Sequence, residues 1–488
     1  MTIEKGEQTL KEKTAKGLLW GGLSNVINQF LGLVFGISMG RILDTHDYGK
    51  IAMIVIFSAI ATNLQESGFV TALINRKNDK YEDYNSVFWF NIGCSLFLYT
   101  VLFLSAPLIS DFYNVPELTT LSRVFFLGFV VASFGIVPKA IMLKQLKVRQ
   151  SAIVLISSQA VSGIVGVTLA LCGLSYWGLA AQTMTYIIVS VVLNWVFSRW
   201  CPTFSFSLQP IKEMFGFSSR VLVTLVFSNI NNHIFSMILG KKYSDVEAGE
   251  YSQANKWNTM GTSIISGMID GVAQPILTTI SDDKERQLNA FRKMLRFTAF
   301  LSFPAMLGLS LISEEFIVIA LTEKWIASAE ILRILCIWGA FSPLSFLISR
   351  LIISRGNSKV FMYNTVATGI LQTIIALTTY RYGISIMVSV YSAVNILWLF
   401  VWIECMKREL PIRTFDVIKD ISPYALLSAV LCVVAHFVAN YIELNFISLI
   451  FKISFVFTLY VGGLWFAKSV ILLESIEFLT KKIRRCTR

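Results

Sequence analysis

Amide and imidazole side chains recur at helical spacing inside two long apolar stretches of the chain. One stripe consists of Asn25, Asn28 and Gln29, and the second consists of Asn229, Asn232 and His233. Residues three and four apart share a helical face, and an amide exposed to lipid is costly, so both stripes are predicted to point inward. Each either lines a cavity or joins neighbouring helices by hydrogen bonds. Such groups suit the hydroxyls of a sugar, and His233 is assigned a hydrogen-bonding role rather than a proton relay.

A third stripe, in a later apolar stretch, combines charge with hydroxyl groups. It consists of Lys256, Thr259, Ser263, Gly267, Asp270 and Gln274, which share one helical face. A charged side chain in the middle of a membrane costs about 2.5–3.5 kcal/mol unless it is paired or hydrated. The stripe therefore predicts a wet cavity or partners on other helices. Its cation would meet a phosphate group, and its carboxylate would bind a coupling Na⁺ or H⁺.

Two further charges are candidates for ion coupling or gating. Glu66 is placed at a depth similar to that of Asp270, and both carboxylates are equally well explained as interfacial charges or as partners of an arginine. Arg220 is placed on the face opposite Asn229. It is interpreted as an anchor at the inner interface or as the partner of a carboxylate, rather than as a ligand of substrate.

Composition places these stripes in a membrane protein. The 488 residues are 55% hydrophobic and 15% charged, with a mean hydropathy of +0.64, whereas soluble chains carry about 25% charged residues. This excludes a soluble enzyme and a disordered chain. Apolar runs predict fourteen membrane-spanning helices, at 16–40, 48–73, 84–108, 118–138, 150–172, 175–198, 213–240, 248–280, 297–313, 325–349, 360–380, 383–406, 421–441 and 447–472.

The distribution of Lys and Arg predicts the orientation of these spans. With the N-terminus inside, 31 of the 42 basic residues fall in inside segments and six in outside connections, Lys452 among the six. This is the bias that the positive-inside rule describes, and it predicts that both termini are cytoplasmic. It also explains the net charge of +12 without a nucleic-acid partner.

An internal repeat divides the chain. Residues 40–49 match residues 240–249, with glycines at both ends of each segment, and residues 145–173 approximately match 355–383. The repeat predicts two six-helix lobes related by an axis along the membrane normal and enclosing a central cavity, plus two extra C-terminal helices. The predicted boundaries are 1–205 for the N-terminal lobe, 206–410 for the C-terminal lobe, and 411–488 for the last two helices and a basic cytoplasmic tail. A structural scaffold of duplicated ancestry is the alternative.

Several catalytic signatures are absent from the sequence. There is no GxxxxGK[ST], HExxH or GxSxG, and the seven cysteines form no CxxC, so neither a cofactor nor a metal is predicted. Asp44 and Asp47 have the spacing of a metal-binding acidic pair of a membrane glycosyltransferase. Because the repeat counterpart is Ser244 and Glu247, a tight loop is the preferred interpretation of both segments.

Short motifs near the N-terminus resemble those of a transporter family. They are Lys16-Gly17-Leu18-Leu19-Trp20-Gly21, Gly40-Arg41-Ile42-Leu43, Asp47-Tyr48-Gly49 and Leu64-Gln65-Glu66-Ser67-Gly68-Phe69. These segments resemble the start of polysaccharide flippases of the lipopolysaccharide, O-antigen and colanic-acid exporter type. That type belongs to the multidrug/oligosaccharidyl-lipid/polysaccharide (MOP) exporter superfamily.

The resemblance implies a flippase of the bacterial inner membrane. Its substrate would be an undecaprenyl-pyrophosphate-linked oligosaccharide, moved by alternating access and driven by an ion gradient rather than ATP. By the resemblance, Lys256 would contact the pyrophosphate, the amides would contact the glycan, and the last two helices would hold the lipid tail. Membrane lipids, polysaccharide polymerases and glycosyltransferases would be its partners.

Two other functions compete with this interpretation. An ion-coupled multidrug antiporter of the same superfamily would need a lone acid in a mainly apolar cavity, whereas amides and a lysine dominate here. A membrane glycosyltransferase or polymerase would need a large outside loop or an acidic catalytic pair, and the predicted loops are short.

Overall fold

The computed structural model describes residues 2–66, 73, 80–439, 445–474 and 477. Within these ranges it does not describe the side chains of residues 2–19, 65–66, 213–221, 223–224, 270–272, 275 and 445. The described chain is almost entirely α-helical and contains no strand.

The helices up to the middle of the chain follow the predicted spans closely. They are α1 (Thr2–Ile42), α2 (Thr45–Glu66), α3 (Tyr81–Tyr113), α4 (Leu118–Ser133), α5 (Ile136–Lys144), α6 (Val148–Leu171), α7 (Tyr176–Ser198), α8 (Leu208–Lys242) and α9 (Asp245–Thr279). The fourth predicted span is broken, because α4 and α5 meet at a bend of 43°. Pro138 lies in the first turn of α5, just after this bend; proline is tolerated there because the first N–H groups of a helix have no partner within the helix.

The remaining helices cover the second half of the chain. They are α10 (Lys284–Leu311), α11 (Ser313–Ala320), α12 (Ile326–Ser354), α13 (Ser358–Thr379), α14 (Ile384–Lys407), α15 (Thr414–Ala439) and α16 (Asn445–Phe466). Among the described residues, eleven helices are long and apolar enough to cross a membrane, and the bent α4–α5 pair can form one more span. Two helices of 35 residues, α8 and α9, fall outside this apolar set. With them, the fourteen predicted spans are accounted for, and the prediction of an all-α polytopic membrane protein is confirmed.

The chain forms two compact units, Met1–Gly249 and Glu250–Arg488. In the first unit, α6 packs against α1 and α7, while α2 packs against α4 and α8. In the second unit, α12 packs between α10 and α14, and α15 and α16 pack against α10. The boundary falls inside α9, and the lobes 1–205 and 206–410 with the segment 411–488 stay a prediction.

The repeated segment builds the same helix start twice. The Asp47 backbone N–H donates to Asp44 Oδ1 (3.1 Å) and the Asp44 N–H donates to Asp47 Oδ2 (3.2 Å), which is a reciprocal cap on α2. At the start of α9, Ser244 accepts the N–H of Val246 (3.1 Å) and donates to Glu247. Both acidic residues therefore fix the helix N-termini that follow the turns after α1 and α8.

The glycines that end this repeated segment mark a close crossing of α2 and α9. A Cβ at Gly49 would overlap the backbone carbonyl of Asp245, and a Cβ at Gly249 would overlap that of Thr45. The two contacts are reciprocal, since Thr45 and Asp245 occupy equivalent positions in the repeat. The glycines lie in the first turns of helices rather than in the loops, and their lack of a side chain permits the approach.

Candidate functional site

The stripe on α1 borders space that no described protein atom fills. Asn25 is exposed, whereas Asn28 and Gln29 are half-buried. Asn28 Oδ1 is buried and accepts no hydrogen bond from the described residues, and a Cβ at Gly32, one turn along, would meet nothing within 4 Å. A buried amide oxygen without a donor is costly, so this position suits a water molecule or a ligand hydroxyl.

One amide of the stripe on α8 already makes a hydrogen bond within the protein. Asn229 is half-buried and its Nδ2 donates to the carbonyl of Leu225 (2.9 Å), one turn back on the same helix. Asn232 is exposed and His233 is half-buried. Asn229 thus retains its amide oxygen for another donor, while Asn232 offers a whole amide.

The stripe on α9 is the most accessible of the three. Lys256, Thr259 and Ser263 are all exposed, on a helix that is too polar to rank among the apolar spans. The ammonium of Lys256 lies 5.7 Å from the ring centre of Trp257, a buried residue whose ring packs edge-on against Phe316. An ammonium followed by two hydroxyls on one face can bind an anion bearing further hydrogen-bonding groups.

Three predicted site residues cannot be placed beyond their helices. Glu66 ends α2, Arg220 lies on α8 and Asp270 lies on α9. Their side chains lie outside the described residues, and their roles in ion coupling or gating stay predictions.

The acidic pair Asp44 and Asp47 forms the cap of α2. Both carboxylates cap α2, and Asp47 also accepts a hydrogen bond from Ser175. No group of three or more His, Cys, Asp or Glu residues in the described part of the chain could hold a metal ion. His46 Nδ1 lies 2.9 Å from Asp245 Oδ2 and thus links the starts of α2 and α9.

A buried ion pair ties α16 to α11, and the sequence analysis missed it. The distribution of basic residues places Lys452 in an outside connection. In the structure it lies in the second turn of α16 and is buried against the carboxylate of Glu315. Glu315 Oε1 also accepts from Ser448 Oγ (3.0 Å). A lysine inside an apolar run indicates that a buried partner exists. The partner, Glu315, lies too far away in the sequence to be identified from residue spacing.

A second cluster ties α15 to α10. Arg292 holds Asp420 through Nε (2.7 Å) and Nη2 (3.1 Å), and Arg296 holds the same carboxylate through Nε (2.8 Å) and Nη2 (2.7 Å). Asp420 is only 4% exposed. The positive-inside bias explains both arginines as interfacial charges; the structure gives them a specific buried partner.

An apolar groove separates α10 from α16. Its volume is about 490 Å³, and its walls include Phe300, Pro304 and Gly308 of α10 and Ile453, Val456 and Tyr460 of α16. Gly308 follows Pro304 by one turn and has open space beside it, since a Cβ there would meet nothing within 4 Å. The absence of a side chain at Gly308 therefore leaves space on this face of α10.

The profile of the polysaccharide biosynthesis protein family matches residues 38–330. The chain belongs to this family. The matched range contains the stripes of α8 and α9, whereas Asn25, Asn28 and Gln29 precede it and α15 and α16 follow it.

Curated relatives are similar to this chain over about 70% of their length. The lipopolysaccharide biosynthesis protein WzxC of Escherichia coli (strain K12) is 27% identical over 367 residues, which cover 74% of each chain. The succinoglycan biosynthesis transport protein ExoT of Rhizobium meliloti (strain 1021) is 25% identical and covers 69% of each chain. The resemblance to polysaccharide exporters that the N-terminal motifs indicate is confirmed by these matches and by the family profile.

Solved structures show the same fold in transporters. The lipid II flippase MurJ, in an inward closed conformation, matches 93% of this chain and 100% of its own with a TM-score of 0.77 and 15% identity. An inward-facing multidrug resistance MATE family transporter of the MOP superfamily matches 78% of this chain and 96% of its own, with a TM-score of 0.60 and 15% identity. This family member therefore has the fold of the superfamily that the sequence analysis named.

Proposed function

We propose that the protein is a flippase that carries an undecaprenyl-pyrophosphate-linked oligosaccharide across the bacterial inner membrane. The observation that carries the proposal is the accessible stripe of Lys256, Thr259 and Ser263 on a helix less apolar than the eleven candidate spans. The names of similar proteins support it: a lipopolysaccharide biosynthesis protein, a succinoglycan biosynthesis transport protein and a lipid II flippase.

The task of such a protein is physical rather than covalent. A pyrophosphate and a chain of sugar hydroxyls cannot enter hydrocarbon without replacement of their hydration. Lys256 would neutralise part of the pyrophosphate charge, and the hydroxyls of Thr259 and Ser263 would donate to its oxygens. No bond is made or broken in this step, so the protein acts as a transporter rather than as an enzyme.

The amides of α1 and α8 suit the glycan. Asn25 and Asn232 are exposed, and Asn28 has an amide oxygen without a donor among the described residues. Gln29, Asn229 and His233 extend the two stripes along their helices. Amides exchange hydrogen bonds with water and with sugar hydroxyls at similar cost, which allows a glycan to bind and leave without a deep energy minimum.

The polyprenyl tail would lie in the groove between α10 and α16. The walls of the groove are almost wholly apolar, and Lys452 at its outer end is neutralised by Glu315. A tail in this groove would remain in an apolar environment while its head group crosses the membrane. This assignment gives the last two helices the role that the family resemblance implies.

Energy for directional transport would come from an ion gradient. Glu66 and Asp270 are the proposed sites for Na⁺ or H⁺, and Arg220 is proposed as an anchor at the inner interface or as the partner of a carboxylate. Both termini would lie in the cytoplasm, as the positive-inside bias predicts. Polymerases and glycosyltransferases of the same pathway would supply and consume the glycan.

Transport of a labelled lipid-linked oligosaccharide in reconstituted vesicles tests the proposal. Lys256→Ala should slow translocation roughly tenfold or more, because one charge-assisted contact contributes about 1.5–3 kcal/mol, while Lys256→Arg should retain most of the rate. Lys139→Ala, which removes an exposed lysine of α5, is the matched control. Gly308→Phe fills the groove where a side chain meets no neighbour and should impair transport of the long-tailed substrate without unfolding the protein.

The outcomes separate the competing functions. Equal rates for wild type and Lys256→Ala would remove the site assignment. Efflux of cationic drugs without glycan translocation would favour a multidrug antiporter, and turnover of a sugar nucleotide would favour a glycosyltransferase. An unchanged rate in Gly308→Phe would remove the tail from the groove and leave the head-group site unaffected.

A further inference from the structure

A basic pocket lies between the N-terminal half of α10 and the segment that follows α16. Along α10 it precedes the apolar groove, which begins at Phe300. Its α10 wall is formed by Asn289, Arg292, Lys293 and Arg296, and its other wall is the helical segment 470–474 that follows α16. The pocket has a volume of about 160 Å³, the space of about five water molecules at about 30 Å³ each. It is large enough for one phosphate group and too small for an oligosaccharide.

The carboxylates in direct contact with this pocket do not cancel its positive charge; Asp416 also acts on Arg292, but without an ion pair. Lys293 pairs with Glu474 at 2.6 Å, while Arg292 and Arg296 share the single carboxylate of Asp420. Three cations against two carboxylates leave one positive charge among the lining residues and their direct ion-pair partners. A phosphodiester, with one negative charge, complements this excess.

The two guanidinium groups retain donors for such a ligand. Asp420 is contacted through Nε and Nη2 of Arg292 and of Arg296, which leaves Nη1 of each group for another acceptor. Their side chains are 28% and 40% exposed, so a ligand can reach them. Asp420 fixes both planes, and this preorganisation lowers the entropic cost of binding.

The remaining walls favour a lipid over a free anion. Val470 is exposed and Ile471 is buried on the same segment, so the pocket combines charged and apolar surfaces. Phe300, where the apolar groove begins, follows Arg296 by one turn on α10. A phosphate held by the arginines would leave acyl chains against apolar side chains at the depth of the hydrocarbon.

We propose that this pocket, formed by Arg292, Lys293 and Arg296 with the segment 470–474, binds the phosphodiester head group of an anionic glycerophospholipid. The bias of basic residues places the pocket on the cytoplasmic side, where anionic head groups attract basic pockets between membrane helices. The lipid would bind independently of the transported glycan. It would join the segment after α16 to α10 at the membrane surface.

Native mass spectrometry of the purified full chain, titrated with phosphatidylglycerol or phosphatidylcholine, tests this site. Lys293→Ala with Arg296→Gln should weaken phosphatidylglycerol binding roughly thirtyfold, at about 1 kcal/mol for each charge and about 1.4 kcal/mol for each tenfold. Arg292 remains on Asp420 in this variant. Lys407→Ala with Arg408→Gln, which removes two basic residues and a comparable surface ion pair on α14, is the matched control and should leave the affinity within about twofold.

A third variant distinguishes loss of the site from a folding defect, because it is expected to bind the lipid more tightly. Glu474→Gln removes a carboxylate of the pocket, raises its net charge by one and should tighten phosphatidylglycerol binding about fivefold. Equal affinity for phosphatidylcholine, an equal loss in the control, or an unchanged affinity in Glu474→Gln would each overturn the proposal. Displacement of the lipid by an equal concentration of inorganic phosphate would also overturn it and assign the pocket to free phosphate.

Discussion

Replacing Lys452 with methionine leaves the carboxylate of Glu315 buried without its cation. The two side chains are 9% and 11% exposed, and Glu315 Oε2 already lacks a donor among the described residues. Removal of one partner of a buried ion pair costs about 3–5 kcal/mol in proteins, because the remaining charge is desolvated without compensation. We expect a loss of about 3 kcal/mol, since Ser448 still donates to the carboxylate.

The free energy of unfolding, measured by detergent titration in mixed micelles, would show this loss. The double variant Lys452→Met with Glu315→Gln should recover most of it, since it removes both charges and leaves a neutral amide that Ser448 can still reach. Lys293→Met breaks the exposed pair with Glu474, whose members are 62% and 46% exposed, and should cost less than about 1 kcal/mol. A loss in Lys452→Met no greater than that of Lys293→Met, or a double variant as unstable as the single one, would refute the argument.

Two other predictions concern the repeated helix starts. Gly49→Ala should destabilise the fold by more than about 2 kcal/mol, because its Cβ would overlap the Asp245 carbonyl, whereas Gly32→Ala should be close to neutral. Thermal unfolding of the two variants measures the difference, and similar values would contradict the close crossing. Asp47→Ala should lower the free energy of unfolding by about 0.5–2 kcal/mol, because it removes the reciprocal cap. Detergent titration in mixed micelles measures this loss, and an unchanged free energy of unfolding would contradict the role of the cap.

Much of the fold was predictable because membrane helices obey local rules. A run of about 20 apolar residues forms a helix across hydrocarbon whatever its neighbours are, so the spans follow from short windows of sequence. The polar stripes of α8 and α9 were visible for the same reason, because helical spacing alone brings their members to one face. Pro138 marks the place of the bend between α4 and α5, but an apolar run does not show that two separate helices form there.

The pairs that join distant helices could not be predicted. Lys452 and Glu315 are 137 positions apart, and Arg292 and Asp420 are 128 apart. No periodicity relates such residues, and each basic residue is also explained as an interfacial anchor. The close crossing of α2 and α9 at Gly49 could not be predicted either. A glycine in a repeated turn is as compatible with a loop as with a close contact between helices.

Polar contacts of α16 and of the segment after it explain how an open groove can persist beside α10. Near its N-terminus, α16 is held to α11 by Lys452 and Glu315, and further along Tyr460 donates to the carbonyl of Phe300 on α10 (3.0 Å). Beyond α16, Glu474 holds Lys293 of α10. Between these points, Gly308 offers no side chain for α16 to pack against. The helix is thus fixed at intervals and left apart where a flexible apolar chain would fit, so the spacing is set by polar contacts and does not depend on the occupant.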